Sequence, residues 1–205
     1  MTPALARPVR ALFLALLCLP AAAQLVPLAG EAPRPAPAPE AVARVFVEAC
    51  VLTEGDQTAA VDWAVSNGFD PLDVLSPNVE PLLAGKPGTA LAMPGQPVWL
   101  VTATGGPCTV WAERTAGPAL HMAFQQAVSQ LVGKGARAEM TLERTIERAG
   151  AWRRQVQWRY RRVGGSQDYG LGAVTTLGEQ PGAQALHLER LPPAVQRDPD
   201  GLPRR

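Results

Sequence analysis

From residue 136 to residue 161 the chain alternates in character almost position by position, and this period of two limits the folds open to it more than any other feature. Ala136, Ala138, Met140, Leu142 and Ile146 interleave with Arg137, Glu139, Thr141, Glu143, Thr145 and Glu147. Trp152, Val156, Trp158 and Tyr160 repeat the pattern against Arg153, Gln155, Gln157, Arg159 and Arg161. Successive strand side chains point to opposite faces of a sheet, so each run has one apolar face to bury and one polar face to leave in water. A parallel sheet, covered on both sides, would call for continuous apolar runs, and the prediction is therefore antiparallel. Residues 169–177 and 184–188 add two strands, and 98–104 with 108–114 form a hairpin about Gly105-Gly106.

Helical spacing marks three other stretches. Residues 41–53 place Val42, Val45, Phe46, Ala49 and Cys50 on one face at three- and four-residue intervals. Asp56 stands where an N-cap would open a second helix carrying Ala59, Ala60, Trp63 and Ala64, and Asn67-Gly68 supplies a left-handed stop. A third helix is predicted over 118–132, with Leu120, Phe124 and Val128 on one face. Residues 69–95, punctuated by Pro71, Pro77, Pro81, Pro87 and Pro94, read as loop with a short helical turn near Leu82. The sum is an α+β fold, with N-terminal helices and one later helix packed on a mostly antiparallel sheet.

Of the 21 prolines in 205 residues, eight lie within 1–40 and four beyond 190, so the ends differ in kind from the middle. Arg7 and Arg10 precede the apolar run 11–19, which leads through Pro20 into Ala21-Ala22-Ala23, the pattern of a secretory signal peptide spanning 1–23. That run is well short of the roughly 20 residues a spanning helix needs, and no transmembrane segment is expected after cleavage. Acylation of Cys18 would want a small residue before it and finds Leu17. Residues 24–40, with Pro33, Pro35, Pro37 and Pro39 at alternate positions, read as an extended Pro-rich linker, and 191–205 as a disordered tail. One globular domain over 41–190 remains, expected in the periplasm or outside the cell.

Cleavage leaves two cysteines, Cys50 and Cys108, and an even pair in an oxidising compartment predicts a structural disulfide. There is no Cys-x-x-Cys for redox chemistry, and with only His121 and His187 as imidazoles no metal site is expected. No cofactor is expected either. Gly85-Lys86-Pro87-Gly88-Thr89 has Pro87 where a phosphate loop carries Ser or Thr, and Gly170-x-Gly172 is followed by no helix. Neither Gly-x-Ser-x-Gly nor Ser-x-x-Lys occurs, so no nucleophile and no catalytic residue can be named. Asp70 and Asp73, which flank Pro71, read as a turn rather than an acid/base pair.

Charge is balanced overall, at +1, which gives no global field to draw nucleic acid, but it is unevenly spread. Residues 24–120 hold 4 basic and 10 acidic side chains, while 121–205 hold 13 and 8. Arg153, Arg159 and Arg161 share one predicted strand face, a candidate anion-binding surface, because guanidinium groups grip carboxylate and phosphate through paired hydrogen bonds. Glu139, Glu143 and Glu147 on the adjacent strand are the residues that would neutralise it.

Phe46-x3-Cys50, Trp63-Ala64-x3-Gly68 and Cys108-x-Val110 ahead of an amphipathic helix together resemble uncharacterised small exported proteins of proteobacteria, a domain-of-unknown-function type, over about 42–188. The resemblance implies a periplasmic or secreted location and a cysteine pair, and brings no activity with it. The function expected is that of a non-enzymatic accessory or binding module of the cell envelope, its partner an anionic envelope component or another protein. The alternative is an envelope hydrolase that couples a carboxylate to His121 or His187.

Overall fold

A computed structural model describes residues 35–76, 79–148, 150–178 and 182–192; the leader, most of the linker and the tail beyond 192 lie outside the described residues. Two β-meanders joined by one long helix form the frame. The first contains β1 (Asp70–Pro71), β2 (Gly88–Ala92), β3 (Val98–Ala103) and β4 (Cys108–Ala112), and the second β5 (Arg137–Arg148), β6 (Ala151–Arg161), β7 (Tyr169–Thr176) and β8 (Gln184–Arg190). β4 pairs with β8, Cys108 opposite Leu188 and Ala112 opposite Gln184. That pairing merges the meanders into one antiparallel sheet of order β1-β2-β3-β4-β8-β7-β6-β5.

This topology dictates the long helix. The chain must travel from β4 to β5 at the far edge, four strand spacings or about 19 Å away, and the 17 residues of α4 (Gly117–Gly133) supply about 25 Å. α4 therefore crosses one sheet face and buries Leu120, Phe124 and Val128 there. Gly117 starts it so close to the Thr176 backbone that a Cβ has no room.

Two more helices cover the same face. α1 (Pro39–Phe46) begins inside the stretch read as linker, because proline in the first turn has its φ set for a helix and no amide to satisfy. Just before it Pro37 is buried, its carbonyl accepting from Thr115 Oγ1 at 3.2 Å. A π-helical turn, Val47–Val51, continues α1 and buries Ala49, Cys50 and Val51 in succession. Three consecutive inward residues exceed what α-helical spacing allows on one face, and the wider turn accommodates them. α2 (Gln57–Ser66) opens with Asp56 Oδ1 accepting from Ala59 N at 2.8 Å.

The core lies between this helical layer and the sheet. Phe46 and Phe124 meet with ring centroids 6.0 Å apart, above Leu100, Val110, Leu171 and Leu186. Cys50 and Cys108 are disulfide-bonded, with Cα atoms 5.5 Å apart, fixing the π-helical turn to the first residue of β4. The opposite sheet face receives, among the described residues, only α3 (Glu80–Leu83) and its flanking loop, where Leu72, Val79 and Leu83 pack on Ala90 and Val101.

Two local readings differ from the sequence expectation. β2 falls within the stretch read as loop: Ala90 and Leu91 are both fully buried, one on each face, so its small residues show no alternation. In β5 the register slips between Met140, opposite Trp158, and Leu142, opposite Gln157. The bulge sends Leu142 and Ile146 to the face opposite Ala138 and Met140, because one inserted residue inverts every side chain after it.

Candidate functional site on the open sheet face

The strand register places one set of side chains in rows across the face away from α1, α2 and α4. One row runs Asp70, Ala92, Trp99, Trp111, Ala185, Val174, Gln155, Arg144, and the next Ala90, Val101, Thr109, His187, Gly172, Gln157, Leu142. A third brings Glu189, Gly170, Arg159 and Glu139 together.

The polar side chains of β6 and β8 on this face lie down rather than standing into water, whereas Arg137, Glu139 and Arg144 on the edge strand β5 are exposed. His187 covers Gly172, and Gln157 Nε2 donates to Glu189 Oε1 at 2.8 Å across Gly170, where a Cβ would come within 2.8 Å of that amide nitrogen. Arg153, Gln155, Gln157, Arg159 and Arg161, all expected to face water, are each half-buried for this reason. The two glycines, followed by no helix, are the floor on which this layer rests.

Arg153, Arg159 and Arg161 do share this face, and each is already engaged. Arg159 Nε and Nη2 reach Asp168 Oδ2 at 2.8 and 2.7 Å, and Arg161 Nε reaches Oδ1 of the same carboxylate at 2.5 Å. Arg153 donates to the Ala183 carbonyl, and Arg144 Nε to Gln155 Oε1 at 2.9 Å. Asp168 is 5% exposed, and the Arg161 hydrogen bond, reinforced by Arg159, outweighs the cost of its burial and holds its carboxyl down to about 2. The neutralising acid is thus Asp168 and not the β5 glutamates; of those, Glu143 makes a 4.0 Å contact with Arg154 on the other face. Among the described residues of β5 to β8 and the turn before β7, Arg137, Arg144, Arg153, Arg159 and Arg161 stand against Glu139, Asp168 and Glu189, five guanidiniums to three carboxylates; a fourth carboxylate, Asp70, lies at the far end of the face, in register with Ala92 and Trp99.

The two histidines fall on opposite sides of the sheet. His187 sits on the open face, with Glu189 two residues along the same strand; burial lowers its pKa and Glu189 partly offsets that. His121 is 3% exposed on α4, and both ring nitrogens lack a hydrogen-bond partner. Burial lowers its pKa, Arg154 lowers it further and Glu143 opposes both.

Asp168, Gln157 and Glu189 were not singled out in the sequence, although one signal was present. Asp168 is the only carboxylate between Arg148 and Gly178, so any charge pairing local to that arginine-rich stretch falls to it. A cleft of about 420 Å³ at the end of β8 is lined by Glu54, Asp56, Lys86 and Glu189. Its carboxylates are taken: Glu54 by Arg162 at 3.0 Å and by the Tyr169 hydroxyl at 3.1 Å, Asp56 by the α2 cap, Glu189 by Gln157. Among the described residues no three His, Cys, Asp or Glu side chains group as metal ligands, and no helix is long and apolar enough to cross a membrane. Compared with known proteins, the chain matches no family model, no curated protein and no solved structure.

Proposed function

We propose that the protein is an exported, non-enzymatic binding module of the cell envelope, periplasmic or secreted, that uses the open sheet face to hold an anionic envelope component. The observation that carries this reading is the surplus of guanidinium over carboxylate among the described residues of the β5–β8 half of a face that α1, α2 and α4 leave uncovered. Arg159 and Arg161 share Asp168 between them, so their remaining N–H groups and one net positive charge stay available to an incoming anion. Export is supported by the leader pattern and by the buried Cys50–Cys108 bond, a link that persists in oxidising compartments. The resemblance to small exported proteobacterial proteins belongs to the same proposal.

The test is sedimentation of the natively processed chain with anionic and with neutral vesicles, and with an acidic and a neutral glycan, at about 0.05 M and about 0.5 M salt. Selective binding to an anionic probe that weakens with salt supports the reading. Equal binding at both salt levels, or none, discards it. Export is checked by mass: the product should begin after Ala23 and carry no free thiol.

One observation favours a second reading, an envelope hydrolase. His187 has Glu189 as a carboxylate neighbour on the same face of one strand, whereas His121 is sealed beneath α4. The pairing narrows the hydrolase to His187, and loss of any hydrolytic turnover in His187→Ala, with binding retained, would favour it over the binding module.

A further inference from the structure

We infer that the occupant of the open face is an acidic glycan, a chain of sugars bearing carboxylates, rather than a lipid headgroup; this rests on the anion-binding reading above and specifies its ligand. Trp99 and Trp111 stand directly opposite each other on β3 and β4, packed against the cluster that α3 makes with this face yet only half-buried, so each indole keeps part of its surface in solvent; Asp70 lies at the outer end of their row. Along the same row come Ala185 and Val174, small enough to leave a shallow floor two strands wide, and then Gln155 with its bonded Arg144.

This is the division of labour a pyranose chain requires. The C–H bonds on one side of a sugar ring are weakly positive and pack on the negative face of an indole, while the hydroxyls around its rim need donors and acceptors held in fixed directions. The side chains here are held in that way: Gln157 by Glu189, Gln155 by Arg144, Arg159 by Asp168. Gly170 and Gly172 let the Gln157 amide and the His187 imidazole lie close over the strand backbone, so these polar groups are held in place before any ligand arrives, which lowers the entropy lost on binding. A face that was merely solvated would have no need of a floor without Cβ atoms, nor of amides tied to neighbours. The surplus of guanidinium lies at the β5–β6 end of the row, away from Asp70, and there it selects sugars carrying carboxylate over neutral ones.

The experiment measures binding of the processed full-length chain to an oligogalacturonate, a neutral dextran oligomer and phosphatidylglycerol vesicles, each by the change in tryptophan fluorescence and by calorimetry. Oligogalacturonate should bind, dextran at least tenfold more weakly, and Trp111→Leu, which keeps an apolar side chain against the α3 cluster, should weaken oligogalacturonate binding roughly tenfold. Trp152→Leu, an exposed tryptophan on the helix-covered side of β6, should leave it unchanged. An unshifted urea midpoint shows that Trp111→Leu still folds; if it does not, Gln155→Ala, on the same row, takes its place with the same expectation. Salt-sensitive vesicle binding without oligogalacturonate binding, or oligogalacturonate binding indifferent to both row variants, overturns the glycan inference and leaves the anion-binding reading standing. No binding to either anionic probe overturns both.

Discussion

His187 lies across Gly172, its partner in register, and its imidazole occupies the space that a Cβ at position 172 would need. The backbone of Gly172 is ordinary strand, and the three atoms nearest to a Cβ there all belong to the ring, so His187 is the first obstacle to a larger residue. Gly172→Ala should push the imidazole off its floor and cost about 1–3 kcal/mol. In the double variant with His187→Ala most of that cost should disappear, since the clash has no second partner. Urea unfolding of the two single variants and the double one gives the coupling as a mutant cycle. A coupling near zero would mean that the glycine serves some other contact.

Asp168 holds Arg159 and Arg161 at once, so its charge is the keystone of the polar layer. Asp168→Asn should destabilise the fold by about 1–2 kcal/mol, a figure set low because both guanidiniums reach solvent and can hydrate when released. The pH dependence has a fixed sign. The Asp168 carboxyl titrates at about 2 in the folded chain and at about 4 when unfolded. Its contribution is therefore complete above about pH 4 and lost as pH falls toward about 2. An acid titration of the urea midpoint should be flatter across that window in the variant.

The antiparallel sheet was legible because residues 137–161 carry a period of two, and α4 because Leu120, Phe124 and Val128 recur at helical spacing. β2 was not, since a short strand buried on both faces has no alternation to display and its glycine and prolines imitate a loop. The bulge at Met140 was invisible for a different reason: period-two patterns specify faces only while the register holds, and Leu142 is apolar on either side of the slip. Of the candidate site, the shared face of Arg153, Arg159 and Arg161 followed from strand parity alone. What they bind did not, because Asp168 approaches from the turn before β7 and Ala183 from the segment before β8, and neither contact leaves a periodic trace.

Cys50 and Cys108 are each almost fully buried, which makes their bond a structural one. Replacing both with alanine should lower stability by about 4 kcal/mol on the chain-entropy model for a loop of this length. Because the bond anchors the π-helical turn to β4, protection of the α1 and π-turn amides should fall more than that of β6 and β7. Hydrogen exchange of the Cys50→Ala/Cys108→Ala chain reads this directly, and a uniform loss across all elements would show that the bond acts only on the unfolded state.

His121 offers the sharpest test of how the helical layer is seated. Both of its nitrogens are buried without a partner, and burial, with Arg154 beside it, keeps its pKa below the usual histidine value against the pull of Glu143. The unfolded chain takes up a proton near pH 6.5, and the folded chain only at a lower pH. Stability is therefore fully present above about pH 6.5 and is lost as pH falls below it. His121→Met fills a similar volume and removes two orphaned polar atoms, so it should raise stability by about 1 kcal/mol at neutral pH. It should also flatten the decline below about pH 6.5 without abolishing it, because His187, likewise depressed by burial, contributes with the same sign. Urea midpoints measured across that range for both chains decide the matter, and an unchanged slope in His121→Met would assign the acid sensitivity to His187 alone.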